Sequence, residues 1–176
     1  MSDLTQVGSV EQGTNVGKFL ANRGVIVVKE NRPAGRFKGE HGDSIVAETL
    51  IINVIKGTKK DTSYGVRLER IDQDGDSDSA VFLDHDELPE LINAIDFIAH
   101  TAAELSGQNR DYTEVTYSTK DGATFGFYHS DQGQLAFLKL SDHRSSTFLP
   151  IKRLGLLKQM LEDARVHLRS CGALDD

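Results

Sequence analysis

The chain has 176 residues, with 20 Lys and Arg against 27 Asp and Glu, a formal net charge of −7 and 38% hydrophobic residues. Such a length allows one domain, or two small fused halves, with a core of its own, and the composition excludes a disordered or fibrous chain. No apolar run approaches the ~20 residues that a membrane-spanning helix needs, and Met1 to Gly13 lacks the basic start and apolar centre of a secretory leader, so a cytoplasmic protein without membrane contact is expected.

Residues 1–23 are rich in Gly, Ser, Thr, Gln and Asn and predict a mobile N-terminal arm, with a helical hint only from Val16 to Asn22. Val25-Ile26-Val27-Val28, between Gly24 and an Asn31-Arg32-Pro33 turn, predicts a strand buried on both faces or covered by a partner. A polar stretch from Arg36 to Asp43 precedes Ser44 to Lys56, whose β-branched residues argue for a strand and against a helix. After a loop over Gly57 to Ser63, Tyr64 to Ile71 and Ala80 to Leu83 complete a meander around the acidic turn Asp72 to Asp78.

A helix follows, and Pro89 fixes its start, because proline has no N–H to give and is tolerated only in the first turn. With Asp86 as N-cap, Leu91, Ile95, Ile98, Ala102 and Leu105 fall on one stripe that ends at Gly107. Thr113 to Thr119, Thr124 to His129, Leu135 to Leu140 and Ser146 to Leu149 then predict four more strands separated by Gly-containing turns and a Ser141-Asp142-His143 turn. A last helix carries Leu154, Leu157, Leu161, Ala164 and Leu168 inward, and Ala173 to Asp176 form a short acidic tail.

Sliding the chain by 66 positions lays Phe82 on Phe148, Leu83 on Leu149, Leu88 on Leu154, Leu91 on Leu157 and Ile95 on Leu161. The two copies run over residues 24–107 and 108–172, with the arm at 1–23 and the tail at 173–176. The expected fold is α+β: duplicated antiparallel units, each of four strands and a helix, packed about a pseudo-twofold axis. Gly155 stands where Pro89 stands in the first copy, so both helices should open on a short lead-in turn.

Motifs of catalysis or metal binding do not hold up. Asp72, Asp74, Asp76 and Asp78 alternate around Gly75, but Ser77 and Leu83 occupy the positions where a calcium loop needs Gly and Glu, which leaves an acidic hairpin turn. Gly13 to Phe19 is one residue short of a phosphate-cradling loop and follows no strand. His41, His85, His100, His129, His143 and His167 show no four-residue pairing for a metal, and nothing identifies a triad. Cys171 is the single cysteine, so it forms no intrachain disulfide and reads as a helix-end residue rather than a reactive thiol. The expectation is a protein that is not an enzyme, with no cofactor and no metal.

A doubled four-strand-plus-helix unit over residues 24–171 resembles the single-stranded nucleic-acid-binding regulator fold shared by the Whirly proteins of plants and a family of transcriptional coactivators. Where Whirly proteins carry a Lys-Gly-Lys strand, this chain has Phe37-Lys38-Gly39-Glu40. The resemblance implies single-stranded DNA or RNA as partner. Binding of that kind needs cations along a groove and aromatic rings on which bases stack. The candidates are Lys29, Arg32, Arg36 and Lys38 near the first strand, Arg67 and Arg70 on a later one, and Tyr112, Tyr117, Tyr128 and Lys139 in the second sheet. A second expectation is a protein-interaction or assembly module, pairing through an edge strand such as Val25 to Val28 with another protein or with a second copy. Its acidic first half would choose the partner, since residues 44–106 hold 5 basic against 13 acidic side chains.

Overall fold

A computed structural model of the chain describes residues 13–142 and 144–175. Helix α1 (Asn15–Leu20) is followed by strands β1 (Ile26–Lys38), β2 (Ser44–Lys56), β3 (Lys59–Ile71) and β4 (Ser77–Asp84), a 3₁₀ turn (His85–Glu87) and helix α2 (Leu88–Leu105). The second half repeats the order: β5 (Tyr112–Ser118), β6 (Thr124–Ser130), β7 (Gly133–Lys139) and β8 (Thr147–Leu149), a 3₁₀ turn (Ile151–Arg153) and helix α3 (Leu154–Ser170). Each half forms one antiparallel meander, in order β1-β2-β3-β4 and β5-β6-β7-β8, so the fold is α+β with two four-stranded sheets, each followed by a helix. No helix among the described residues is long and apolar enough to cross a membrane.

The copies match in what they bury. Leu88, Leu91, Ile95, Ile98 and Ala102 are buried on α2, and Leu154, Leu157, Leu161, Ala164 and Leu168 are buried on α3, which is the stripe spaced at three and four residues that an amphipathic helix hides. Both helices open on the expected lead-in turn. Glu87, not Asp86, stands at the N-cap of α2, and Asp84 caps the lead-in turn before it, with Glu87 returning the bond to the Asp84 N–H.

Each helix covers the sheet of the other half. The stripe of α3 packs on β1, β2 and β3, that of α2 packs on β5 and β6, and the helices also touch each other. One continuous core results, with Ile45, Val66 and Leu68 from the first sheet and Phe125, Phe127 and Leu138 from the second. The hairpin turns make the same exchange. Gly39 N–H donates to Asp43 O and Thr119 N–H to Ala123 O, both at 2.9 Å, closing two matching turns around Gly42 (φ 85°) and Gly122 (φ 87°). The first turn reaches β8, where Glu40 N–H donates to Phe148 O at 2.8 Å, and the second reaches β4, where Phe82 N–H donates to an Asp121 carboxylate oxygen at 2.9 Å.

Beneath the first turn lies a charged node. Arg70, 8% exposed, donates from Nε to Asp43 Oδ2 at 3.1 Å and to Thr147 Oγ1 at 3.2 Å, while Thr147 Oγ1 donates to Asp43 at 2.5 Å and Arg70 also pairs with Asp78. Strands from both halves meet there, and a Cβ added at Gly39 would stand 2.7 Å from the Thr147 methyl, which is why the turn begins on a glycine.

Two expectations need correction. The N-terminal arm is helical and packed on the first sheet over residues 14–20: Thr14 caps α1, Asp84 accepts from the N–H groups of Asn15 and Val16 at 2.8 and 3.0 Å, and Val16, Phe19 and Leu20 pack on Leu50, Ile52 and Phe82. Residues 1–12 of the arm lie outside the described residues. The first strand is not doubly buried and does not stop at Asn31-Arg32-Pro33; it runs to Lys38 as a sheet edge, with Ile26 63% and Val28 40% exposed. An edge accepts Pro33 because the missing donor faces no partner, and a bulge between Pro33 and Gly35 absorbs the irregularity. In the acidic tail Ala173 is buried, and Asp175 pairs with His85, Arg165 and Arg169.

Removing the cation at the node leaves the buried Asp43 carboxylate with no opposite charge and only the Thr147 hydroxyl of the node as donor, so Arg70→Ala should cost about 3–5 kcal/mol in urea unfolding. A loss below about 1 kcal/mol would show that the node does not hold the halves together.

Candidate nucleic-acid interface

Alternation along β5 and β6 sorts the second sheet into two faces. The inner face, under α2, carries Val115, Tyr117, Phe125, Phe127 and His129. The outer face carries Tyr112, Glu114 and Tyr128, continued on β7 by Leu135, Phe137 and Lys139 and on β8 by Phe148. A row of aromatic rings crosses it. Tyr112 and Tyr128 are stacked with centroids 6.2 Å apart and planes at 18°, Tyr128 and Phe137 follow at 6.5 Å, Phe137 pairs in register with Phe148, and His41 meets the Phe148 ring edge-on at 5.8 Å. Gly126 makes room for the row, since a Cβ there would stand 3.0 Å from the tip of the Phe137 ring. Tyr112 is 60% exposed and donates its hydroxyl proton to Glu114, an acceptor bond that raises the phenol above its ordinary pKa.

The equivalent face of the first sheet is covered. Phe82, the counterpart of Phe148, lies under α1 together with Leu50 and Ile52. Nothing equivalent to α1 precedes β5, where the chain passes directly from α2 through a short loop. Beside α1 the outer face of the first sheet is charged. Lys29, Arg36, Lys38 and Arg67 stand opposite Ile52, Val46, Ser44 and Glu48 of β2, all on that side. Arg67 is tied to Glu69 at 2.7 Å, and that hydrogen bond raises its pKa and lowers that of Glu69.

The sequence candidates therefore divide. Tyr112, Tyr128 and Lys139 share the aromatic face, with Lys139 3.4 Å from Asp142. Lys29, Arg36, Lys38 and Arg67 share the outer face of the other sheet, and His41 in the β1–β2 turn joins the two surfaces. Arg32, Arg70 and Tyr117 point the other way: Arg32 bonds the His167 ring at 3.2 Å, Arg70 is consumed in the buried node, and Tyr117 packs on the core, where burial raises its pKa. Phe137 and Phe148 were not among the candidates. Leu135-Ala136-Phe137-Leu138-Lys139 is apolar on both sides, so alternation alone does not say which side meets water, and β8 is only three residues long.

Other polar clusters have structural roles. Asp84, Asp86 and Glu87 bring carboxylate oxygens within 4.8 Å of one another, but Lys120 Nζ stands 3.0 Å from Asp86 and 3.5 Å from Asp84, and Asp84 is the acceptor for α1. An ammonium already takes the place where a metal would be held. In the acidic hairpin, Asp72 accepts from the N–H groups of Asp74 and Asp76 at 2.9 Å, an Asx turn that closes the loop by itself. His129 bonds Gln108 O at 2.8 Å and Gln134 at 2.9 Å, inside the core. His167 lies 3.8 Å from Cys171 Sγ, but its other nitrogen accepts from Arg32, so the nitrogen facing sulfur carries the proton and cannot serve as a base. His143 lies outside the described residues.

Glu87 is 5% exposed, and burial pushes its carboxyl up to about 7 against the favourable bond from the Asp84 N–H. The fold thus prefers this group protonated. Its contribution is complete below the unfolded value of 4.5 and is lost as the pH rises through about 7, a swing of about 3 kcal/mol. Glu87→Gln keeps an acceptor without the charge, so its stability advantage over the parent should grow between about pH 4.5 and pH 8; equal urea midpoints at both ends would contradict this.

Comparison with protein-family models and with curated proteins finds no match for the chain, and the aromatic face with its basic neighbour is the surface from which a function has to be argued.

Proposed function

We propose that the chain is a non-catalytic module that binds single-stranded nucleic acid across the outer faces of its two sheets. The observation that carries this reading is the row Tyr112, Tyr128, Phe137 and Phe148, left open on the second sheet where α1 closes the corresponding surface of the first. Rings at such spacing accept unstacked bases without regard to sequence, and a duplex, whose bases are already stacked, gains nothing from them. Lys139 beside the rings, with Lys29, Arg36 and Lys38 beyond the His41 junction, supplies charge for the phosphates. The doubled element order and its resemblance to Whirly proteins support the same reading. With a net charge of −7 the long-range field opposes an approaching polyanion, so contact depends on local cations within a Debye length of about 8–10 Å and should be sensitive to salt.

Anisotropy of labelled oligo-dT tests the proposal. Binding is expected at low salt, weakening steeply as salt rises, with Tyr128→Ala and Phe137→Ala each costing about tenfold or more and Lys29→Glu with Arg36→Glu abolishing it. No binding near micromolar protein at low salt, or full affinity in both aromatic variants, would remove the reading.

A further inference from the structure

Among the described residues no strand pairs with the outer edge of β1, and a trough runs between that edge and α3. Its wider part, about 390 Å³, is lined by Arg36, Phe37 and Lys38 of the strand and by Arg153, Leu156 and Met160 of the segment opposite. Ala34 and Asp163 lead on into a narrower part of about 190 Å³ bounded by Arg32, Thr49 and His167.

The backbone along this trough is oriented for another strand. Gly39 N–H donates to Asp43 O, so Gly39 faces β2, and alternation turns the peptide groups of Phe37 toward β2 and those of Arg36 and Lys38 outward. Lys38 O does face out, since it accepts from Arg153 Nη1 at 2.6 Å. The N–H and C=O of Arg36 and the N–H of Lys38 stand on the open edge, a template for strand addition.

From this geometry we infer that the trough binds an extended peptide as a fifth strand beside β1, and that the peptide carries acidic residues two apart with an apolar residue between them. Residues opposite each other in a sheet share a face. Peptide side chains across from Arg36 and Lys38 lie on the outer face, where carboxylates meet two cations, with Arg153 close by. The intervening side chain falls on the side of α3, over Met160 and Leu156, and Leu156 is 57% exposed. Asp163 is the one acid among the described residues that line either part, so the trough is locally basic in a chain of net charge −7. A nucleic-acid strand would satisfy the cations but leave the outward peptide groups of β1 without a ladder.

The test is an anisotropy titration of the full chain with a fluorescein-labelled heptapeptide of alternating Glu and Val, alongside the same peptide N-methylated at alternate amides. Saturable binding to the plain peptide is expected, weakened about tenfold or more by N-methylation and by Leu156→Glu, a substitution at an exposed side chain that leaves the core intact. No saturation by about 1 mM protein, or equal affinity for the methylated peptide or in Leu156→Glu, overturns the inference. Loss of oligo-dT binding in Leu156→Glu without any peptide binding assigns the trough to nucleic acid and overturns it too. Tyr128 and Phe137 do not line the trough, so failure of the nucleic-acid reading leaves the peptide titration unchanged and the two results remain separable.

Discussion

The apolar stripe of α3 finds its cover on β1, β2 and β3, and that of α2 on β5 and β6, so neither half can bury its helix without the other. Separating the halves would expose Leu91, Ile95, Leu157 and Leu161 and the inner faces of both sheets at once, at roughly 1.5–3 kcal/mol for each large side chain. The hairpin turns reinforce the exchange with hydrogen bonds to the outer strand of the opposite sheet, and Arg70 adds a node in which Asp43 and Thr147, from different halves, share one guanidinium. All other features are placed by this interlock. It commits the inner faces to the core and leaves only outer faces and edges for contact with anything else.

How much of this the chain disclosed beforehand depends on which link is considered. The 66-residue repeat was legible because the buried positions of α2 and α3 keep spacing and character, and the duplicated α+β fold followed from it. The exchange was not legible, since periodicity says which face of a helix is apolar and nothing about which sheet receives it. Helix α1 is six residues long and showed only as a hint over Val16 to Asn22; what holds its first turn is Asp84, some seventy residues away, which no local pattern discloses. Among the candidate binding residues, Arg67 and Arg70 are three apart on one strand, and Tyr112 and Tyr117 are five apart, so each pair had to divide between faces. Arg32 and Arg36 are the instructive case. Four apart, they should share a side, yet the bulge between Pro33 and Gly35 shifts the alternation by one and sends Arg32 to His167 and Arg36 outward.

The acidity concentrated in residues 44–106 looked like an external label and is in good part internal wiring. Asp78 is spent on Arg70, Asp84 and Asp86 on Lys120 of the second half, and Asp96 on Lys158 across the two helices. Several of these pairs join the first half to the second, so the charge asymmetry in the sequence reflects which partners fit together after folding. The exposed acids of the β3–β4 hairpin remain displayed, well away in sequence from the basic edge strand.

Duplication by itself would give a particle with two like outer surfaces, able to engage two ligands at once. Helix α1 breaks that equivalence: it caps Phe82 on one side, while the half-buried Phe148 on the other meets the edge-on ring of His41 and its strand neighbours. The two broad outer surfaces are therefore unlike, one roofed in part by a short helix and the other crossed by a row of rings, and the doubled chain has a front and a back.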